Sequence, residues 1–445
     1  MNHSPMDHSP MNLLYACTDP GIPVDGTKGA SIHVRAMCRA FAAEGHSVHI
    51  AAARIDAPAL VAASPIVLDA RSRRLIERAS GDRAGALRAQ LAARALALST
   101  PAWRAAGIDA VYERYSLFGS GGQAVARALG VPHVLEVNAP LTREAARYRA
   151  LPWPRRARAI ERDVLTGADA VVAVSTPLAE WLAEVGVDPA RILVLPNGVD
   201  ADAMAAAAPE RHAVRARLRL ADRRVIGFVG SIRPWHGVGD VLDAFARVAA
   251  DDPAACLLIV GDGPALPTLE ARAVELGLRH RVRFTGSVPH EDVPALLAAC
   301  DVAVAPYAAD AEDYFSPIKL FEYLAAGLPT VAADIPPVRA VVDDGRTARL
   351  YPAGDVAAMA SALAAVLAAP QAARAMGAAG RADVIARHTW RHNAQAVLAR
   401  LARLSIHEGS TEAGGATGTD VACVADAATR RTSSTRGADA CRVAA

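Results

Sequence analysis

The chain has almost no lysine. Of its 48 basic residues only Lys28 and Lys319 are not arginine, and both lie in Gly/Pro/Ser-bounded turns between a strand pattern and a helical one. Aromatic residues are also scarce at 4%, too few for the stacking platforms of a single-strand nucleic-acid binder. Neither sign of charge prevails: 48 basic and 46 acidic residues leave a net charge of +2, so no general field draws nucleic acid in, and none is expected as a partner. The six cysteines, Cys17, Cys38, Cys256, Cys300, Cys423 and Cys441, form no Cys-x-x-Cys pair and no zinc-like spacing. Several fall in apolar runs such as Cys256 to Val260, where a buried free thiol is ordinary. A reducing cytoplasm fits that usage. No run reaches the ~20 apolar residues of a membrane-spanning helix, and the polar segment Met1 to Met11, a near-duplication of His-Ser-Pro-Met, has no signal core. The expectation is a cytoplasmic chain, either soluble or peripheral on the inner membrane face.

What is present in quantity is apolar aliphatic sequence. A length of 445 residues and 52% hydrophobic composition supply the core of two domains. Apolar strand patterns at 12–17, 47–52, 110–112, 133–137, 170–174 and 192–195 alternate with Ala/Arg-rich helical patterns, beginning with a helix over 31–44. The pattern breaks at Leu195-Pro-Asn-Gly-Val-Asp200, and a second series follows at 225–230, 257–260, 282–284, 302–305 and 330–332. Such alternation predicts an α/β fold of two facing doubly wound, Rossmann-like domains, with ligands in the cleft beyond the carboxyl ends of the strands. The expected organisation is a disordered N-terminus (1–11), a first domain (12–195), a second domain (196–385), a final helix (386–406) beginning near His388-Thr-Trp390, and a Gly/Ala/Thr/Ser-rich disordered tail (407–445).

The most informative segment is Ser316-Pro-Ile-Lys-Leu-Phe-Glu-Tyr-Leu-Ala-Ala-Gly-Leu-Pro329. Ser316 is expected to cap a helix with Pro317 at its first position and Ile318 behind it; Gly327 and Pro329 end it. The start of such a helix offers free N–H groups and a positive dipole end, which suit an anion. Lys319 and Glu322, three residues apart, share a helical face and pair a phosphate-seeking ammonium with a carboxylate suited to sugar hydroxyls. A nucleotide-sugar site follows.

This segment resembles the donor-binding signature of the retaining glycosyltransferases of family 4, which have the GT-B architecture. In motif order the resemblance covers most of residues 12 to 404. It implies that Glu322 holds the donor ribose; Lys319, by its own chemistry, would serve the diphosphate. Many members carry a second glutamate, facing the donor sugar, where this chain has Tyr314 between Glu312, Asp313 and Phe315.

Other positions follow from the same resemblance. The turn Gly26-Thr-Lys-Gly-Ala-Ser31 matches a glycine loop of the family and would place Lys28 and Gly29 near a phosphate or the acceptor; a plain tight connection is the alternative. In Gly227 to Gly237 the family's phosphate-gripping Arg and Lys are replaced by Ser231 and His236, and Arg233 could supply the missing charge. His236 would be a neutral donor, a protonated clamp, or a loop residue packed beside Trp235. Gly261 and Gly263 match a Gly-x-Gly-Pro turn near the nucleotide, and a third glycine of the dinucleotide fingerprint is lacking. Asn138 stands where the family often has a histidine, with Glu136 on the same strand face; it can hydrogen-bond a sugar or phosphate but not exchange protons. His133 reads as a strand residue with a local partner.

Asp200-Ala-Asp202 mimics a metal motif of another architecture but suits a linker and helix cap. No metal and no cofactor is expected. The reading is metal-independent retaining transfer of a sugar from a nucleotide diphosphate donor to a hydroxyl acceptor, which could be lipid-linked. The arginines of 71–94 and of Trp153 to Arg158 would suit peripheral contact with anionic lipid or simply a solvated face. A non-catalytic partner of the same fold and a sugar-nucleotide epimerase remain as alternatives.

Overall fold

The computed structural model describes residues 9–56, 63–233 and 236–412, with side chains to residue 404. Residues 1–8 of the N-terminal near-duplication, Trp235, and residues 413–445 of the expected tail lie outside the described residues.

Two sheets carry the fold. The first contains β1 (Asn12–Cys17), β2 (Ser47–Ala52), β3 (Ala63–Pro65), β4 (Ala110–Arg114), β5 (His133–Val137), β6 (Ala170–Ala173) and β7 (Ile192–Val194), in the order β3-β2-β1-β4-β5-β6-β7. The second contains β8 (Arg224–Val229), β9 (Ala255–Val260), β10 (Val282–Phe284), β11 (Val302–Ala305), β12 (Thr330–Asp334) and β13 (Arg349–Pro352), in the order β10-β9-β8-β11-β12-β13. Every pairing is parallel. Inner strands such as β9, Ala-Cys-Leu-Leu-Ile-Val, are buried at every position, as a sheet covered on both faces requires. Strand order reverses between β1 and β4 and between β8 and β11, and loops leaving such switch points form the ligand crevice of open α/β sheets. Lys28 and Gly29 follow β1; Ser231, Arg233 and His236 follow β8; the segment 306–317 follows β11.

The chain crosses between the halves twice, and the crossings lie side by side. Val199 N donates to the His388 carbonyl (3.0 Å), and Asn393 Nδ2 donates to the Pro196 carbonyl (2.7 Å). A Cβ on Gly198 would lie 2.4 Å from Trp390 N, so only glycine permits this approach. The last helix, Trp390–Glu412, extends beyond the 404–406 end expected from sequence. Its Trp390, Ala394, Val397, Leu398 and Leu401 pack into the core of the first sheet beside Tyr15, Phe41 and Tyr112. No single helix among the described residues is long and apolar enough to cross a membrane. The bent pair Val356–Ala368 and Pro370–Arg387, turned by 103°, passes by length and composition together, yet it places Met359, Leu363, Ala373 and Val384 in the core of the second half. Cys17, Cys38, Cys256 and Cys300 are free and buried.

Candidate active site

The helix Ile318–Ala325 is the centre of the site. It ends as its sequence predicts: Gly327 takes φ +69, its N–H reaches the Leu324 carbonyl (2.8 Å), and Leu328 N reaches the Tyr323 carbonyl (3.1 Å). These are the paired bonds of a glycine-terminated helix. Its start differs from expectation. Ser316 does not cap it; Pro317 occupies the cap position, with no side-chain cap. The Ser316 hydroxyl is used elsewhere, accepting from Asn197 N (2.9 Å), while Asn197 Nδ2 donates to the Ser316 carbonyl (2.9 Å). The linker between the halves thus takes the would-be cap, and the helix start stays uncapped. An uncapped N-terminus suits an anion.

Lys319 lies in the first turn of this helix. Its Nζ is buried without a hydrogen-bond partner, 4.6 Å from the ring centre of Phe228 and 5.3 Å from that of Tyr307. The two rings offer their negative faces to the ammonium. Burial pushes its pKa down to about 8, against the pull of the Glu322 carboxylate. Gly230, at the end of β8, makes room for it: a Cβ there would come within 3.3 Å of Nζ. A buried cation without a hydrogen-bonded partner is costly, and a bound anion would remove that cost.

Glu322 is buried, and His290 Nε2 approaches its Oε1 at 2.7 Å. His290 is a residue that sequence reasoning missed; a histidine in the loop after β10 carries no local signal that it meets a glutamate 32 positions away.

Around this helix the glycine turns have packing roles. Gly261 and Gly263 lie against the backbone after β8: added Cβ atoms would sit 2.0 Å from the Gly230 carbonyl oxygen and 2.2 Å from that of Ile232. Ile232 N bonds the Asp262 carbonyl (2.9 Å). His236 Nδ1 lies 2.7 Å from the Ser231 carbonyl oxygen. Burial and the Lys319 ammonium push its pKa down to about 4, against the pull of the Ser231 carbonyl, and Arg233 lowers it further. His236 is therefore neutral at pH 7 in the unliganded protein, which removes the protonated-clamp option for this state. Ser231 and Arg233 are exposed on the same loop.

The first half supplies the facing wall. A Cβ on Gly29 would lie 3.7 Å from Ile318 Cδ1, so the glycine turn after β1 abuts the start of the helix Ile318–Ala325. Lys28 Nζ donates to the Gly21 carbonyl (2.9 Å) within its own loop. Asn138 follows β5 and donates from Nδ2 to Glu136 Oε1 (2.6 Å). Glu136 is fully buried and also meets Tyr112 Oη (2.8 Å), His33 Nε2 (2.8 Å) and the Arg114 guanidinium. Burial alone would raise its pKa, but His33, Arg114 and the hydrogen bonds from His33 and Asn138 hold it well below the usual carboxylate range. Glu136 is thus an anion at all working pH values. The Asn138 amide must turn its NH2 to it, leaving Oδ1, which has no hydrogen bond among the described residues, as an acceptor. An acceptor suits a hydroxyl and repels a phosphate.

Tyr314 does not line the donor helix. Its ring packs among Leu135, Val137 and Leu178 of the first half, its hydroxyl donates to Glu144 Oε1, and Ser175 Oγ donates to its carbonyl (2.6 Å). The neighbouring Glu312 accepts from Arg147 Nη1 (2.6 Å) and Tyr148 Oη (2.6 Å). The loop that carries the motif is therefore bound to the first half.

Two other sequence candidates have structural partners. His133 Nε2 lies 3.0 Å from Glu113 Oε2, and Glu113 accepts from Gly122 N (2.9 Å) and Gln123 N (3.0 Å). That carboxylate fills the N-terminus of the helix Gly121–Leu129, which is therefore closed to an external anion. Asp200 caps the helix Ala201–Ala206 by accepting from Ala203 N (2.9 Å). No group of three or more potential metal ligands occurs among the described residues.

Comparison with known proteins agrees with this architecture. Residues 27–203 match the family described as Glycosyltransferase Family 4, and residues 223–369 match Glycosyl transferases group 1. The chain is 34% identical over 251 residues to a GDP-mannose-dependent alpha-(1-6)-phosphatidylinositol monomannoside mannosyltransferase of Mycolicibacterium smegmatis, covering 56% of this chain and 65% of that protein. It is 32% identical over 314 residues to a D-inositol 3-phosphate glycosyltransferase of Mycobacterium avium, covering 68% of this chain and 71% of that one. Matches to the first few relatives span about half to two thirds of their length. In fold, the chain superimposes on Anabaena HepE in complex with UDP at a TM-score of 0.66 and 16% identity, over 88% of this chain and all of that one. With both halves matched in order and the glycine turn of the first meeting Ile318 of the second, the chain belongs to glycosyltransferase family 4 and has the GT-B fold.

Proposed function

We propose that the protein transfers a sugar from a nucleotide diphosphate donor to a hydroxyl acceptor, with retention at the anomeric carbon and without a metal. The observation that carries this reading is the buried ammonium of Lys319, without a hydrogen-bond partner, in the first turn of an uncapped helix whose first residue, Ile318, abuts the glycine turn of the other half. Breaking the anomeric C–O bond leaves charge on the diphosphate, and preorganised donors aimed at that charge lower the barrier. Lys319, the N–H groups of the helix start, and Arg233 supply them; Gly29 bounds the same space from the opposite side. Glu322 accepts from the ribose hydroxyls. Asn138 Oδ1 accepts from a sugar hydroxyl and does not serve the phosphates. As the C1–O bond to the acceptor forms, the acceptor proton passes to the departing phosphate oxygen on the same face, so the chain need not supply a separate base.

For the acceptor, the names of the relatives point to inositol phosphates and phosphatidylinositol mannosides. A groove of about 670 Å³ on the first half, lined by Arg143, Arg147, Arg158 and Arg162 against Glu161 and Glu184, with Trp181, has the arginine excess that suits an acceptor carrying phosphate. Exposed Tyr148 and Trp153 lie near Arg149, Arg155 and Arg156 in sequence and would allow peripheral contact with an anionic bilayer.

A thermal-shift panel of UDP, GDP, ADP and dTDP and their sugar conjugates, on wild type and Glu322→Ala, tests the reading. A nucleotide that stabilises wild type and not the variant supports it and assigns the donor class. No shift from any nucleotide would move the assignment to a non-catalytic partner of the same fold.

A further inference from the structure

The Glu322 carboxylate is buried on the second turn of its helix, its side chain 8% exposed, and its one hydrogen bond among the described residues comes from His290. A buried carboxylate needs donors. The imidazole is the more open of the two at 28%, so it covers the solvent side of the carboxylate. Its place is fixed by the backbone. Gly261 N donates to the Gly286 carbonyl (3.0 Å), tying the end of β9 to the loop after β10. His290 then begins a single 3-10 turn, His290–Asp292, behind Pro289. Because a carboxylate only accepts, Nε2 must carry the proton in this bond, which leaves Nδ1 of the neutral ring as an acceptor.

We propose that His290 is a positioning residue that sets the plane of the Glu322 carboxylate for a ribose diol. The proposal rests on the reading that Glu322 binds the donor ribose. A vicinal diol donates two hydrogen bonds, and a carboxylate accepts both only when its plane faces the two hydroxyls. The bond to Oε1 removes rotation about the terminal side-chain torsion, which is otherwise broad, and directs Oε2 to the ligand. The consequence is selection of ribonucleotides over 2′-deoxyribonucleotides, set by a residue from outside the motif helix.

The test is binding of UDP and GDP and their 2′-deoxy counterparts by calorimetry to wild type, Glu322→Ala, His290→Ala and His290→Gln. The expected result has three parts. Wild type prefers the ribo form of the nucleotide it binds, and Glu322→Ala loses that preference. His290→Ala loses most of it and binds the ribo form about tenfold more weakly, the scale of one hydrogen bond to a charged group. His290→Gln, whose amide can donate from a similar position, recovers part of the loss. If Glu322→Ala removes the preference and His290→Ala keeps wild-type affinity and selectivity, the positioning role is wrong while the ribose reading stands. If His290→Ala binds more tightly, the imidazole occludes the site, and the proposal is equally overturned. Equal binding of ribo and deoxy forms by wild type and Glu322→Ala would end both. Melting curves of the two His290 variants separate these outcomes from misfolding: loss of the donor to a buried carboxylate predicts a lower Tm for His290→Ala with the transition still cooperative, and a smaller drop for His290→Gln.

Discussion

Glu136 and Asn138, two residues apart at the carboxyl end of β5, are joined by a 2.6 Å bond from the asparagine amide to a fully buried carboxylate. Because Glu136 is held ionised by His33 and Arg114, the amide has one orientation. Asn138→Asp puts a second carboxylate against the first and removes the donor. We expect it to destabilise the protein by about 2–4 kcal/mol, less at acid pH where the new group protonates. Asn138→His, which keeps a ring N–H for Glu136, should remain folded. Denaturant melts at about pH 5 and pH 8 check both, and an Asn138→Asp variant as stable as wild type at the higher pH would contradict the fixed orientation.

Lys319 gives the site a defined pH response. Its pKa is depressed to about 8 by burial, so the unliganded protein loses the ammonium as pH rises through that value, and diphosphate affinity falls with it. Nucleotide affinity measured between about pH 7 and 9.5 should decline in wild type and stay flat, though lower throughout, in Lys319→Met.

The same residue sets a trade between stability and binding. The unfolded chain holds this proton up to the ordinary lysine value of 10.5. The penalty on the fold is therefore complete below pH 8 and fades as pH rises from 8 toward 10.5. Its ceiling is about 3 kcal/mol. Lys319→Met should accordingly raise the unliganded Tm at pH 7, with the gain shrinking by pH 10, and should reduce stabilisation by nucleotide in step with its lower affinity. A lowered Tm at pH 7 would show that the ammonium has a stabilising partner.

Tyr314 and Glu312 fasten the motif loop to the helix Leu141–Tyr148 of the first half. Tyr314→Phe leaves the ring in its apolar packing and deletes one bond to a charged group, at a cost of about 1.5–3 kcal/mol. Amide exchange should rise in residues 306–317 and 141–148 together. Faster exchange confined to one of the two would argue that the halves are not coupled there.

Gly263 is a severe steric test. An added Cβ would lie 2.2 Å from the Ile232 carbonyl oxygen, so Gly263→Ala must separate the loops after β8 and β9. We expect loss of nucleotide binding and a Tm drop of several degrees, as for other substitutions with no room to relax. Retention of both would mean that the two loops move freely.

Much of the fold was legible because inner parallel strands are continuous apolar runs. β1, β2, β5, β10 and β11 begin and end where the hydrophobic pattern does. The edge strands β3 and β13 escaped notice, since Ala-Ser-Pro and Arg-Leu-Tyr-Pro have neither length nor apolar continuity, and proline is tolerated at an edge. At the site, the residues after each switch-point strand were legible from their turn chemistry. The Ser316 cap was misread because its hydroxyl answers to Asn197, 119 positions away. The Glu136 network draws Tyr15 from β1, His33 from the helix Gly29–Ala43, and Tyr112 and Arg114 from β4, which no local pattern encodes. A signal did exist: a glutamate inside His-Val-Leu-Glu-Val and an arginine ending Ala-Val-Tyr-Glu-Arg are charges in strands buried at every position, and such charges demand each other.

The scarcity of lysine turns the protein into its own reporter. Lys28 and Lys319 carry the only side-chain primary amines, and hence the only stable side-chain amides an acylating reagent can leave, and the two differ as nucleophiles: one is exposed and bonded to a carbonyl, the other is buried with a lowered pKa. Acylation of Lys319, resolved by peptide mass against Lys28 as an internal standard, therefore reads the occupancy of the cleft without a label, a mutation or a known acceptor.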